Sequence, residues 1–264
     1  MIDTHTHPDN WGIRPILFHL GGIGIPSYSF FVLLGLLVGL AVYFYEARRL
    51  RERGDYPVYI LFGSLVGGII GAKILEWAIN YEYVSANFFD HNVLFSGRTI
   101  VGGLLGGVVG SLLTKRILGI KVRKGNLFAP GVALGVGIGR IGCFMSGCCY
   151  GKLTALPWGV DFGDGILRHP TQLYESAFML AMFIWLERVK TKEGLMPGQL
   201  FKMLMLAYFV FRFFSEFLRV EKPAFWGLSV FQIISMGVII YLLRDEVKNY
   251  SLKFLGRTRE ATDG

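Results

Sequence analysis

Charged residues are scarce in this sequence. Only 17% of its 264 residues are Asp, Glu, Lys or Arg, whereas 53% are hydrophobic. A soluble domain normally carries about 25% charged residues. The mean hydropathy is also positive, at +0.48. This composition argues against an ordinary soluble enzyme and predicts a chain that lies largely within a membrane.

The N-terminus lacks the pattern of a secretory signal peptide. Its first 20 residues carry acidic side chains and histidines, and they contain no cleavage site of small residues. We therefore expect no leader that is removed from this chain.

Seven apolar segments meet the length needed to cross a bilayer, which is about 20 residues. We place them near residues 26–46, 58–79, 99–118, 127–146, 172–189, 199–218 and 227–243. The pattern predicts an all-α polytopic membrane protein. Residues 1–264 would form a single seven-helix membrane domain.

Basic residues lie mostly in alternate connections between these segments, in the stretches 47–57, 114–124 and 187–193 and after residue 243. Cytoplasmic loops of membrane proteins carry such an excess of Lys and Arg. The asymmetry predicts an outer N-terminus and a cytoplasmic C-terminus. It also explains the net charge of +8, so we expect contacts with membrane lipids and no nucleic-acid partner.

Two arginines occur within predicted membrane segments, Arg140 in the fourth and Arg212 in the sixth. A charge at the centre of a membrane helix costs roughly 2.5–3.5 kcal/mol on insertion scales, so it needs a partner or a function. Two guanidiniums in a partly dry site can bind a phosphate bidentately. Alternatively, each arginine pairs with a buried carboxylate such as Glu175 or Glu216 and joins two helices. The anionic-substrate interpretation is favoured, and the structural one stays open.

All three cysteines, Cys143, Cys148 and Cys149, lie within eleven residues of Arg140. They are too few for a disulfide scaffold and do not form the two cysteine pairs of a common zinc site. Packing as small hydrophobic side chains, or one disulfide, is the favoured interpretation. A nucleophile and metal ligands are the alternatives, but we expect no metal and no cofactor.

Two further features have both a functional and a structural interpretation. His169 precedes the fifth segment and fits either a general base or phosphate donor, or a residue that caps the helix start. The glycines of the third and fourth segments fit close packing between membrane helices.

Three motifs resemble those of the prolipoprotein diacylglyceryl transferase family. They are Gly-Arg-x-Gly-x-Phe at 139–144, closed by Gly151, then His-Pro-Thr-Gln-Leu-Tyr-Glu at 169–175, and Phe-Arg-x-x-x-Glu at 211–216. Together with the seven segments, the resemblance covers nearly the whole chain.

The resemblance implies a multi-pass enzyme of the bacterial inner membrane. Such an enzyme moves diacylglyceryl from phosphatidylglycerol to the lipobox cysteine beside a prolipoprotein signal peptide, and releases glycerol 1-phosphate. It implies that Arg140, Arg212 and Glu216 are catalytic, and His169 is a further catalytic candidate. The expected substrate-binding residues are Gly102, Gly103, Cys143, Ser146, Gly151, Tyr174 and Glu175.

Four positions depart from the family pattern. The family has a Gly-Gly-Leu motif, which matches residues 102–104 here, and Val101 replaces the histidine that usually precedes it. Cys143, Ser146 and Cys148 replace the Asn, Asn and Glu of the family signature. Deprotonation of the acceptor thiol is therefore left to His169, Glu216 or a bound water. The alternatives to the main interpretation are a family branch with another acceptor, a non-catalytic phospholipid-binding or transport protein, and a redox protein that uses the cysteines.

Overall fold

The computed structural model describes residues 13–49, 56–87, 89–90, 97, 99–121, 125–191 and 195–244. In these ranges the helices are α1 (Ser27–Arg49), α2 (Tyr56–Ile79), α3 (Tyr81–Ala86), α4 (Ile100–Ile117), α5 (Gly125–Met145), α6 (Thr171–Val189), α7 (Gln199–Ser215) and α8 (Val230–Arg244). A 3-10 helix, Glu216–Leu218, follows α7 directly. Two short antiparallel hairpins pair β1 (Ile16–Leu20) with β2 (Ile23–Pro26), and β3 (Val160–Asp161) with β4 (Leu167–Arg168).

Four helices in the described part of the chain are long and apolar enough to cross a membrane. They are α1, residues Val58–Ile79 of α2, α4 and α5. Helix α6 has 19 residues but includes charged ones, α7 has 17 residues, and α8 is a shorter apolar helix. The helical membrane class is therefore confirmed. Seven spans and their orientation stay predictions.

Glycines allow two pairs of helices to approach closely. A Cβ atom on Gly106 of α4 would lie 2.3 Å from the carbonyl oxygen of Gly67 in α2. In the same way, a Cβ atom on Gly35 of α1 would lie 2.4 Å from the carbonyl oxygen of Gly135 in α5. Small residues are what membrane helices use to reach such separations. The packing role predicted for glycines of the third and fourth segments is confirmed at Gly106 and Gly135.

The main core lies where α6 and α7 meet their neighbours. Met179 and Leu186 of α6 and Tyr208 and Phe209 of α7 are fully buried in it. The ring of Phe178 stacks on that of Phe211 with the centroids 4.3 Å apart, which adds to the area that the pair buries. The polar side chains of α6 and α7 are thereby held against α5.

Ile13 and Arg14, at the start of the described residues, lie beside the end of α5. The backbone N–H of Arg14 donates to the carbonyl oxygen of Met145 at 2.7 Å. Ile13 is fully buried in a second apolar cluster, together with Phe144 of α5 and Phe162 of the β3–β4 hairpin. The N-terminal segment and the cysteine-containing end of α5 therefore lie at the same end of the molecule.

The β3–β4 hairpin leads into His169 and α6. Its turn is closed by Asp161, whose Oδ1 accepts from three backbone N–H groups, those of Gly163, Asp164 and Gly165. At the surface, Arg168 pairs with Asp164, and this hydrogen bond lowers the pKa of the Asp164 carboxyl below its usual value. The hairpin thus sets where α6 begins.

Candidate active site

Glu175 joins three helices at the centre of the site. Arg140 of α5 donates from Nη2 to Oε2 of Glu175, a residue 35 positions further along the chain. Nη1 of Arg212, in α7, lies 3.4 Å from the same oxygen, and the Tyr208 hydroxyl donates to Oε1 at 3.0 Å. The predicted pairing of the arginines with buried carboxylates is therefore present.

A second carboxylate, Glu216, continues the network beyond α7. Its Oε2 lies 3.0 Å from Nη2 of Arg212 and 3.7 Å from Nε of Arg219. Its Oε1 accepts from the Ser229 hydroxyl at 3.2 Å. Ser229 also caps α8, because it exchanges hydrogen bonds with Gln232 as in a capping box. We call Arg140, Glu175, Tyr208, Arg212, Glu216 and Arg219 the arginine–glutamate network.

The guanidinium groups of this network retain unused donors. Three of its buried residues are arginines and two are glutamates, and the half-buried Glu221 lies 3.4 Å from Nη2 of Arg219. The Nε groups of Arg140 and Arg212 have no hydrogen-bond partner within the described residues. A buried guanidinium is costly unless its donors are used. The network is therefore suited to accept one further anion.

The three cysteines gather beside Arg140. Their sulfur atoms all lie within 4.8 Å of one another, and Nη1 of Arg140 is 3.7 Å from Sγ of Cys143. Cys143 is buried, Cys148 is half-buried and Cys149 is exposed. All three are free thiols, so the disulfide variant of the sequence prediction is not found. We call these residues the cysteine cluster.

Side chains of α6 and the residue after the 3-10 helix hold the turn that carries Cys148 and Cys149. Gln172 donates to the Cys148 carbonyl oxygen, and Thr171 donates to that of Cys149 at 2.8 Å. Nη1 of Arg219 also reaches the Cys149 carbonyl oxygen, at 3.2 Å. The cysteine cluster and the arginine–glutamate network are thus parts of one site.

Gly151 lies where three chain segments touch. Its N–H donates to the carbonyl oxygen of His169 at 2.8 Å, and it forms an isolated β-bridge with Arg219. A Cβ atom here would lie 2.5 Å from the carbonyl oxygen of Leu218. Glycine at position 151 lets the turn after α5 pack against both α6 and the 3-10 helix.

His169 and Tyr174 form a separate, half-buried group. Nδ1 of His169 lies 3.2 Å from the Tyr174 hydroxyl, which also accepts from Nε1 of Trp158 at 2.9 Å. Tyr174 precedes Glu175 directly, yet Glu175 faces the arginines while Tyr174 faces His169. The catalytic role of His169 and the binding role of Tyr174 stay predictions.

The remaining predicted residues occupy the starts and ends of helices. Gly102 is packed against α2, since a Cβ atom there would lie 2.4 Å from the carbonyl oxygen of Gly71. Gly103 has more room, with 3.7 Å to the nearest atom, and Val101 is buried in the main core. Ser146 is half-buried in the turn after α5. These contacts do not test the substrate-binding roles of Gly102, Gly103 and Ser146, which stay predictions.

Sequence reasoning missed two members of the network, Tyr208 and Arg219. Tyr208 lies one helical turn before Arg212 on the same face of α7, so helical spacing could have identified it. Arg219 follows the 3-10 helix in an extended conformation, so only its position as a basic residue three after Glu216 pointed to it.

These features define a helical membrane protein with a buried, cationic site near the end of α5. The chain matches the family described as prolipoprotein diacylglyceryl transferase over residues 15–244. The chain belongs to this family, and the resemblance seen in its motifs is confirmed.

Similar proteins come from several bacteria, and each bears the name phosphatidylglycerol–prolipoprotein diacylglyceryl transferase. The protein of Clostridium tetani is 34% identical over 239 residues, which cover 86% of this chain and 94% of the relative. The Clostridioides difficile protein is 32% identical over 245 residues, covering 89% and 98%. The Geobacter sulfurreducens protein is 33% identical over 246 residues, covering 86% and 92%.

Proposed function

We propose that this protein is a membrane transferase that moves the diacylglyceryl group of phosphatidylglycerol to a cysteine thiol of a prolipoprotein. Membership of the family and the names of its relatives support this function. The apolar helices place the enzyme in a membrane, which we propose to be the inner membrane of a bacterium. Its partners would be phosphatidylglycerol, surrounding membrane lipids and the signal-peptide region of the acceptor.

The observation that carries the proposal is the pair of unused guanidinium donors in this buried network. Phosphatidylglycerol has one negative charge, on its phosphodiester group. Nε–H of Arg140 and of Arg212 would donate to the phosphate oxygens. We assign both arginines to phosphate binding.

The reaction places further negative charge on the same phosphate. The acceptor thiolate attacks the diacylglycerol carbon that bears the phosphate, so that a C–S bond forms and the C–O bond breaks. The electron pair of the C–O bond leaves with glycerol phosphate, which then carries two negative charges. Fixed donors aimed at a developing anion in a poorly hydrated site are the strongest single means of lowering such a barrier.

The carboxylates and Tyr208 act through the arginines. Glu175 holds Arg140 and Arg212 from one oxygen, and Tyr208 holds the other oxygen of Glu175. Glu216 orients Arg212 and Arg219 from the side of the 3-10 helix. These groups are positioning residues, which keep two guanidiniums aimed at one place.

The test is transfer by the purified full-length protein in phosphatidylglycerol micelles. A lipobox peptide should gain the mass of one diacylglyceryl group, and glycerol phosphate should appear in equal amount. A peptide with Ser in place of its Cys is the matched control and should stay unmodified. Lipid binding without product would instead favour the alternative that this is a non-catalytic phospholipid-binding or transport protein.

A further inference from the structure

The cysteine cluster has the geometry of a soft-metal site. The sulfur atoms of Cys143, Cys148 and Cys149 lie within 4.8 Å of one another. Three thiolates bound to a tetrahedral zinc ion at about 2.3 Å lie about 3.8 Å apart, so small side-chain rotations close the difference. Four residues separate Cys143 from Cys148, which is within the usual spacing of a zinc-binding cysteine pair.

Arginine side chains lie beside the ligands of such a site. Three thiolates around a divalent cation leave one net negative charge. Nη1 of Arg140 lies beside Sγ of Cys143, and Arg219 donates to the carbonyl oxygen of Cys149. Gln172 and Thr171 fix the backbone of the same turn. Contacts of this kind orient the ligands and tune the metal in known sites.

A packing role or a disulfide explains the cluster less well. Cys149 is exposed, and its backbone has φ of 64°, which a non-glycine residue rarely adopts. Packing as a small hydrophobic side chain accounts neither for this backbone conformation nor for the exposure of the residue. A disulfide joins two sulfur atoms and leaves the position of the third unexplained, whereas a metal site uses all three.

We propose that Cys143, Cys148 and Cys149 bind a zinc ion whose fourth position is open to the thiol of the acceptor protein. Catalytic zinc sites have three protein ligands and one open position, while structural ones have four. Cys149 is the most exposed residue of the cluster, so the cluster lies next to the surface of the protein. Arg140 contacts both Cys143 and Glu175, so the bound thiol would lie next to the proposed phosphate site.

This assignment deepens the proposed function, on which its chemical part rests. A zinc ion bound here would favour deprotonation of the acceptor thiol that coordinates it, with the proton passing to water. The resulting thiolate then attacks the lipid carbon, and the leaving phosphate takes the electron pair of the broken C–O bond. Glu175 and Glu216 are already paired with arginines, and this route requires neither of them as the base.

Metal binding is tested without turnover. The full-length protein, purified under reductant and then freed of it without oxygen, should bind about one Co²⁺ per chain with a sulfur-to-metal charge-transfer band. Cys143→Ser, Cys148→Ser and Cys149→Ser should each weaken the band by at least a third, as expected when one of three sulfur ligands is lost. Tyr150→Phe, a change in the same turn that removes no sulfur, is the matched control and should bind Co²⁺ normally. A protein with three free thiols that retains no Co²⁺, or one that forms a disulfide under these conditions, overturns the site.

The open position is tested with peptides. A lipobox peptide should shift the Co²⁺ spectrum, and its Cys→Ser version should not; no shift with either peptide contradicts an open fourth position. Diacylglyceryl transfer should fall at least about a hundredfold in metal-free protein and return with Zn²⁺. Transfer that continues at full rate without metal refutes the inference and leaves the proposed function standing. Metal binding and the peptide shift without any transfer would support the zinc site and contradict the proposed function.

Discussion

At the scale of single residues, Arg140 is the most closely held charge of the site. It contacts Glu175 through one terminal nitrogen and Cys143 through the other, and it is almost fully buried. Both contacts depend on the planar guanidinium, because its nitrogens point in fixed and different directions. Lysine has the same charge but a single ammonium group, so Arg140→Lys separates charge from geometry.

We expect Arg140→Lys to lower diacylglyceryl transfer by roughly 10²–10³, the usual cost of losing one donor to a developing anion. The measurement is the initial rate with phosphatidylglycerol and lipobox peptide, with helix content followed by circular dichroism. Arg188→Lys makes the same change at an exposed position of α6 and should retain full activity. An Arg140→Lys rate within about threefold of the parent would contradict phosphate binding by the Arg140 guanidinium and favour a purely structural counter-ion.

Tyr208 tests how firmly Glu175 must be held. Tyr208→Phe removes the hydroxyl that donates to Oε1 of Glu175 and leaves that buried oxygen without its partner. An unsatisfied buried acceptor costs about 1–3 kcal/mol, more for a charged group, so we expect a lower melting temperature and a slower rate. Tyr45→Phe, at an exposed position, is the matched control. Equal melting temperatures for the parent and Tyr208→Phe would contradict a structural need for this hydrogen bond.

At the scale of helices, glycines set how closely α2 and α4 approach each other. Gly106 and Gly103 are on the same helix but differ in the space around them. A Cβ atom would lie 2.3 Å from the Gly67 carbonyl oxygen at the first and 3.7 Å from the nearest atom at the second. We therefore expect a Gly→Ala substitution to destabilise the protein at Gly106 and to be tolerated at Gly103.

Gly106→Ala should separate the helices and destabilise the protein by about 1–3 kcal/mol, the usual cost of overpacking. Gly103→Ala should have nearly the parent's melting temperature in the same detergent. Thermal unfolding followed by tryptophan fluorescence compares the two variants directly. If Gly103→Ala is stable but slow in transfer, its predicted role in substrate binding gains support. If Gly106→Ala is as stable as the parent, the close approach of the two helices is wrong.

Most helix boundaries could be predicted from the sequence, because apolar length is a local property. The predicted segment 58–79 lies within α2, and 99–118 and 172–189 match α4 and α6 to within one residue at each end. The segment 199–218 ends instead in a 3-10 helix from Glu216. There, the contacts of Glu216 with Arg212 and Ser229 set the backbone, and the apolar pattern contains no sign of them.

At the scale of the whole molecule, the structure places the N-terminal segment and the site at one end. The backbone N–H of Arg14 donates a hydrogen bond to the Met145 carbonyl oxygen, and Ile13 lies in one apolar cluster with Phe144. The predicted orientation then puts both on the outer side, where the signal-peptide region of a translocated acceptor would be available. The distribution of basic residues is the basis for this orientation.

A reporter that is active only outside the cytoplasm tests the orientation. We expect activity when it is inserted after Pro157, in the turn before β3, and no activity when it is fused after Gly264. A second reporter, active only in the cytoplasm, should show the opposite pattern and controls for expression. The reverse result for both reporters would move the site to the cytoplasmic face and remove its access to translocated prolipoproteins.

The sequence by itself determined the membrane class, the family and the identity of the two arginines within membrane segments. These follow from apolar length, from short motifs and from the cost of a charge in lipid, all of which are local properties of the chain. Only the tertiary structure decided which partners these charges have. Glu175 bridges Arg140 and Arg212 across 35 and 37 residues, so their contact depends on how α5, α6 and α7 pack. The convergence of the three cysteine sulfur atoms is likewise a property of the turn after α5, which Gln172, Thr171 and Arg219 hold from elsewhere in the fold.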